Sequence, residues 1–357
     1  MPGRGGREGA RIPARMRAVT FHGPGDIRYG TVPLPGPGPG EVLVRVEVAL
    51  TCSTDIKTFR RGHPVMIQEI PTVFGHEFAG EVAAVGEGVE QFRVGQRVAA
   101  ANSAPCLTCG FCRRGQENLC ERLLFLNGAF AEYIRVPAPL AAVNLLPLPD
   151  DLPAREAAFL EPLACALHGI ERAGVRAGDT VTILGTGPIG LLLLQVARLR
   201  GARCIAVGRG ALRLSQAYAF GAEVVVDLAA TPDPVAAVRE RTPGGLGPDI
   251  VIEAVGRPEA WEHGAAAVRK GGTVAFFGGC APGSQVRVDT QRLHYEELTL
   301  LGVFHHTPRH VREALNLLAG RRLTVESLLS HEMSLKNLEA ALTAMERREA
   351  LKVVIVP

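Results

Sequence analysis

Between positions 41 and 50 the chain reads EVLVRVEVAL, with charged and apolar side chains alternating at period two. That alternation predicts a half-buried strand. The GPGPG at 36–40 predicts a turn leading into it. Shorter apolar runs at 16–21, 78–85, 97–101 and 131–136 are separated by prolines and glycines. The first 150 residues therefore read as β-rich, without the alternation of strands and helices that a parallel sheet requires.

The pattern changes after Asp150 and Asp151. Residues 152–173 have helical character, and an apolar strand at 179–184 then runs into glycines and a leucine-rich helix at 189–200. Further short apolar runs lie at 204–207, 223–226, 249–253, 273–277 and 298–302, with helical stretches between most of them. Six short strands interleaved with helices predict an α/β domain with a doubly wound parallel sheet. Helices return near 311–319 and 335–347, and a last strand is expected at 351–356.

Composition adds bounds. The length of 357 residues suits about two domains. With 47% hydrophobic and 21% charged residues the chain is that of a globular protein, neither disordered nor a small disulfide scaffold. The formal charge is +3, and the first 15 residues, with Arg4, Arg7, Arg11 and Arg15 against Glu8, carry all of it. The body is neutral, which gives no charge-based case for nucleic acid or a membrane surface. Residues 1–15 read as a disordered extension without the apolar run of a secretory signal, and Met16 would serve as a second start. The apolar stretch at 181–197 contains Gly185, Gly187, Pro188 and Gly190 and falls short of the roughly 20 residues of a membrane span. With neither signal nor span, the expected compartment is the cytoplasm.

Gly185-Thr-Gly187-Pro188-Ile189-Gly190 follows an apolar strand and opens a helix. In that context G-x-G-x-x-G predicts a dinucleotide site, with the pyrophosphate at the helix N-terminus. The acidic residue that would take the ribose 2′-hydroxyl of NAD is missing. About 20 residues on, the chain reads Val207-Gly208-Arg209-Gly210. Gly208 would leave space and Arg209, assisted by Arg213, would supply positive charge, so NADP is expected over NAD.

Four of the eight cysteines, Cys106, Cys109, Cys112 and Cys120, fall within 15 residues. Four soft ligands so spaced predict a closed structural zinc site, the rivals being an iron–sulfur cluster and a redox thiol set. Cys52, His76 and Glu77 are ligand types for a second zinc with an open position, although a lone cysteine and a lone histidine are more often simply packed.

Together these residues resemble the zinc-dependent medium-chain dehydrogenases, in particular their polyol (sorbitol-like) and threonine dehydrogenase branch, from Met16 to Pro357. The most specific motif is Gly75-His76-Glu77-x2-Gly80-x5-Gly86-x2-Val89. The resemblance implies a β-rich GroES-like catalytic domain over 16–160, completed by 304–357, and a Rossmann domain over 161–303. It implies two zinc ions per chain. Cys52, His76, Glu77 and Glu161 would serve the catalytic one, Asp55 would fix the His76 imidazole, and Thr54 would pass the substrate proton outward. Lys57 departs from the family, where many members carry a histidine that ends the proton relay. The implied reaction interconverts a secondary alcohol of polyol, sugar-alcohol or cyclitol type and its ketone by hydride transfer to NAD(P). A hydroxy amino acid or simple secondary alcohol is the alternative substrate, and a non-catalytic zinc- and nucleotide-binding regulator is the alternative of another class. His305 and His306 are candidates for contact with a polyhydroxylated substrate. A homo-oligomer, dimer or tetramer, is expected.

Overall fold

The computed structural model describes residues 12–357 apart from 64, 65 and 68. The expected disordered extension lies, for residues 1–11, outside the described residues. Its boundary shifts: the first strand, Arg15–Gly23, begins one residue before Met16, because Arg15 pairs with Pro33 and donates to the Thr31 carbonyl at 2.8 Å.

Contacts divide the chain into two compact units. The first runs to Glu161 and takes in Leu318–Gly320 and Leu329–Pro357; the second comprises Pro162–Leu317 and Arg321–Leu328. The return to the first unit therefore falls later than position 304. Residues 304–317 stay with the second unit, where Arg309 and His310 pair with Glu171 and the His310 ring stands edge-on to His168, 4.9 Å between centroids.

The first unit is built on a seven-stranded, mainly antiparallel sheet. Its spine runs Leu145–Pro147, Arg97–Ala100, Glu77–Val85, Val42–Leu50, Lys352–Val356 and Leu329–Ser334, and Tyr133–Val136 pairs with Val42–Leu50. The alternation in Val42–Leu50 survives as buried apolar positions around exposed Arg45 and Glu47. Its core is rich in phenylalanine: Phe21, Phe74, Phe78 and Phe130 are all buried, with Phe74 edge-on to Phe130 at 5.4 Å.

The second unit holds six parallel strands in the order Val224–Asp227, Arg203–Gly208, Thr180–Leu184, Ile250–Glu253, Thr273–Phe276 and Thr299–Gly302. In chain order this is 3-2-1-4-5-6, a Rossmann sheet whose strand order reverses beside Thr180–Leu184. All five residues of that strand are buried, as expected for a parallel strand covered on both faces. Among the described residues no helix is long and apolar enough to cross a membrane.

Candidate active site

Strand pairing assembles the first centre. Leu50 lies opposite Glu77 in the antiparallel pair, so the chain beyond Leu50 and the residue before Glu77 meet at one end of the sheet. Cys52 is the N-cap of helix Ser53–Arg61: its sulfur accepts from the Thr54 amide at 3.5 Å, and Asp55 Oδ2 accepts from the Cys52 amide at 2.7 Å. The other Asp55 oxygen lies 3.1 Å from His76 Nδ1. One carboxylate thus closes a helix terminus and fixes an imidazole, which leaves Nε2 as the ligand atom of His76. Burial opposes charge on His76, but Asp55 outweighs it and holds the pKa well above the ordinary value. Gly75 is obligatory beside it, since its φ is +91° and a Cβ would stand 2.5 Å from the Phe130 ring.

Cys52, His76 and Glu77 bring one ligand atom each within 4.8 Å of one another. Glu77 is fully buried and its Oε1 has no hydrogen-bond partner, the state of a donor atom suited to a cation. Burial pushes its carboxyl up to about 7 against the pull of Lys352 and His76, and nearby Glu161 adds to the rise. Glu161 lies in the first turn of Leu160–Ala173, buried, beside that group rather than within its 4.8 Å limit. Thr54 occupies the first turn of helix Ser53–Arg61 and is half-buried.

Sequence reasoning missed Lys352. Its ammonium is buried at 2% exposure, donates to Glu77 Oε2 and to the Thr51 carbonyl at 2.9 Å, and lies 5.6 Å from the Phe159 ring centroid. Burial works against its charge, yet Glu77 holds its pKa above the ordinary lysine value. The available signal was a lone lysine opening the apolar run KVVIV.

The four clustered cysteines form the second centre. Their sulfurs converge, with Cys109 to Cys112 at 3.5 Å, Cys109 to Cys120 at 3.9 Å and Cys106 to Cys112 at 4.0 Å. Four thiolates around a tetrahedral zinc at ~2.3 Å would stand about 3.8 Å apart, so the set fits that ion. Hydrogen bonds from Thr108 draw the Cys106 thiol down to about 5, while burial pushes Cys112 up to about 12. Four sulfurs this close cannot all ionise without a cation to share. The lobe has little apolar core, and Leu107, Phe111 and Leu119 are exposed.

In the second unit each fingerprint glycine has its own reason. Gly185 has φ +108°, and a Cβ on Gly190 would stand 1.8 Å from the Gly185 carbonyl oxygen. A Cβ on Gly187, the N-cap of helix Pro188–Leu199, would meet nothing within 4 Å, so the backbone there is open to a pyrophosphate. Arg209 is exposed just beyond strand Arg203–Gly208, and Arg213 is half-buried in the next helix. Gly208 has a packing reason of its own. A Cβ there would stand 2.0 Å from Thr186 Oγ1, so Thr186 of the fingerprint packs against it and leaves no room for a side chain in that direction.

Residues 38–150 match the alcohol dehydrogenase GroES-like domain and residues 188–320 the zinc-binding dehydrogenase family. Sorbitol dehydrogenase of Bacillus subtilis (strain 168) is 31% identical, over 97% of this chain and 98% of its own. Erythritol/L-threitol dehydrogenase of Mycolicibacterium smegmatis is 32% identical, over 97% and 99%. A protein of Sinorhizobium meliloti 1021, solved bound to NADP, superposes with a TM-score of 0.89 at 33% identity, covering 97% of this chain and 100% of that one. With both family models matched in chain order and relatives aligned nearly end to end, the chain belongs to the zinc-dependent medium-chain alcohol and polyol dehydrogenases.

Proposed function

We propose that this enzyme interconverts a secondary alcohol of polyol, sugar-alcohol or cyclitol type and its ketone, with NADP preferred over NAD and two zinc ions per chain. The observation that carries the reading is the convergence of Cys52, His76 and Glu77 within 4.8 Å, backed by Asp55 behind the imidazole and Lys352 behind the carboxylate. When bound, zinc supplies a Lewis acid toward the alcohol oxygen and the nicotinamide accepts a hydride from carbon.

The chain's own residues do the rest. Cys52, His76, Glu77 and the neighbouring Glu161 would hold the metal. Asp55 keeps His76 Nε2 presented. The Thr54 hydroxyl, one helical position from the Ser53 that follows Cys52, takes the substrate hydroxyl proton and passes it to solvent. Helix Pro188–Leu199 offers its free N–H groups to the pyrophosphate. Arg209, with Arg213, meets a 2′-phosphate. The cysteine quartet would hold the other zinc, which would fix its lobe. The sorbitol and erythritol/L-threitol relatives support a polyhydroxylated substrate.

The test is a screen of polyols, cyclitols and amino sugars for oxidation, and of their ketones for reduction, with both cofactors. Turnover of a polyol or cyclitol with higher kcat/KM for NADP is expected. Preference for a hydroxy amino acid would overturn the substrate class, and NADP binding with no turnover of any alcohol would favour a regulatory role.

A further inference from the structure

We propose that Glu253 is a positioning residue for the nicotinamide half of the dinucleotide: its carboxylate sets the backbone loop 254–256 against the loop 277–279, and the two loops form the wall on which that half lies. The inference rests on the reading of 185–190 as a dinucleotide fingerprint. Glu253 ends strand Ile250–Glu253, and the parallel register places it beside Leu184, the residue before Gly185. The strand order reverses between these two strands. In such a sheet a dinucleotide lies across the carboxyl ends of the strands at the reversal, one mononucleotide over each half. Arg209 follows strand Arg203–Gly208 and so belongs to the adenosine half. Strands Ile250–Glu253, Thr273–Phe276 and Thr299–Gly302 build the other half.

Glu253 is fully buried. Its Oε1 accepts from the Val255 amide at 2.7 Å and from the Gly256 amide at 2.8 Å. Its main-chain carbonyl accepts from the Phe277 and Gly278 amides, both at 2.9 Å. One residue therefore holds both loops. They close on each other through glycine: a Cβ on Gly278 would stand 2.3 Å from the Gly256 nitrogen, and one on Gly256 would stand 2.6 Å from the Gly279 carbonyl oxygen. Trp261 Nε1 pins the second loop by donating to the Gly278 carbonyl at 3.0 Å. The first loop reaches the fingerprint, since a Cβ on Gly185 would stand 2.9 Å from Val255 Cγ2, and Val255 is exposed. The other carboxylate oxygen, Oε2, is buried without a hydrogen-bond partner. Burial pushes the Glu253 pKa up against the pull of the Gly256 and Val255 amides. A buried carboxylate with one oxygen unpaired opposes folding, and an apolar side chain would carry no such cost. What the carboxylate provides in return is a fixed backbone at the mouth of the crevice.

Calorimetric titration of the zinc-loaded full-length chain tests the assignment. NADP, NAD and adenosine 2′,5′-bisphosphate, which lacks the nicotinamide mononucleotide, are each titrated into wild type, Glu253→Leu, Glu253→Gln and Gly278→Ala. Glu253→Leu should weaken both dinucleotides by about 10- to 100-fold, the worth of a charge-assisted hydrogen bond, and leave the bisphosphate affinity unchanged. Glu253→Gln, whose amide oxygen accepts from the same two N–H groups, should stay close to wild type. Gly278→Ala, which forces the loops apart with the carboxylate intact, should follow Glu253→Leu. The inference is overturned if Glu253→Leu binds both dinucleotides as wild type does, or if it loses the bisphosphate in equal measure, the mark of a general loosening of the unit. Should Glu253→Leu fail to fold, the same split between dinucleotide and bisphosphate in Gly278→Ala decides. Failure of the fingerprint reading is separable, because wild type itself would then bind neither dinucleotide.

Discussion

Replacing Lys352 by methionine keeps the length and apolar stem of the side chain and removes one charge. The ammonium is 2% exposed and its partner Glu77 is fully buried, so water cannot replace the lost cation. The second Glu77 oxygen, Oε1, has no hydrogen-bond partner to fall back on. Breaking a buried ion pair from one side costs about 3–5 kcal/mol, because the surviving carboxylate is left uncompensated or must take up a proton. That is roughly two to four orders of magnitude in the folding equilibrium of the first unit. The comparison is made on metal-free proteins, where no zinc compensates Glu77. Urea unfolding is followed by circular dichroism and by fluorescence of Trp261, the single tryptophan, which packs in the second unit on Phe276. Two probes are needed because a protein of two units need not unfold in one step. The Lys352→Met protein should lose its first-unit transition at markedly lower urea while the Trp261 transition stays close to wild type. Adding Glu77→Gln should restore most of the loss. Equal midpoints for wild type and Lys352→Met, with no effect of Glu77→Gln, would refute the reasoning.

Arg209→Ala should lower kcat/KM for NADP by roughly 10- to 100-fold, the worth of a charge-assisted hydrogen bond, and change that for NAD little; equal losses would remove Arg209 from phosphate recognition. A carboxylate at position 208 is a poorer test, since its Cβ would collide with Thr186. Cys112→Ser should release one zinc per chain and loosen the lobe so that trypsin cleaves at the exposed Arg113 and Arg114, whereas unchanged zinc content would contradict the quartet assignment. Burial draws the His168 pKa down to about 4, and His310 is also lowered. The unfolded chain therefore binds more protons than the folded one below pH ~6.5, and stability should be full above that value and fall as pH drops toward 4. A His168→Leu protein should show a flatter urea midpoint over that range, and an unaltered slope would remove His168 as a cause.

The second unit was legible because its strands are buried on both faces, so runs such as TVTIL are apolar throughout. Strand Leu329–Ser334 was not: its residues are half-buried or exposed, and LSHEMS has no apolar alternation to read. Cys52, His76 and Glu77 were legible as ligand types, but their meeting depends on the register that sets Leu50 opposite Glu77. The helix that the Cys52 thiol caps was not legible, because serine, threonine, aspartate and asparagine are the familiar caps. Lys352 and Glu77 stand 275 positions apart, and no local pattern joins them. That a Cβ on Gly208 would meet Thr186, 22 positions earlier, follows from the pairing of two strands and no local pattern shows it.

The central claim is that the Cys52 centre and a nicotinamide dinucleotide together oxidise a secondary alcohol. The most direct measurement is the appearance of reduced nicotinamide with a polyol substrate before chelation, after chelation has removed activity-linked zinc, and after zinc is returned, for wild type and Cys52→Ser. Activity should disappear with that zinc, return with it in wild type, and never return in Cys52→Ser. Undiminished hydride transfer in the chelated protein, or in Cys52→Ser, would contradict it.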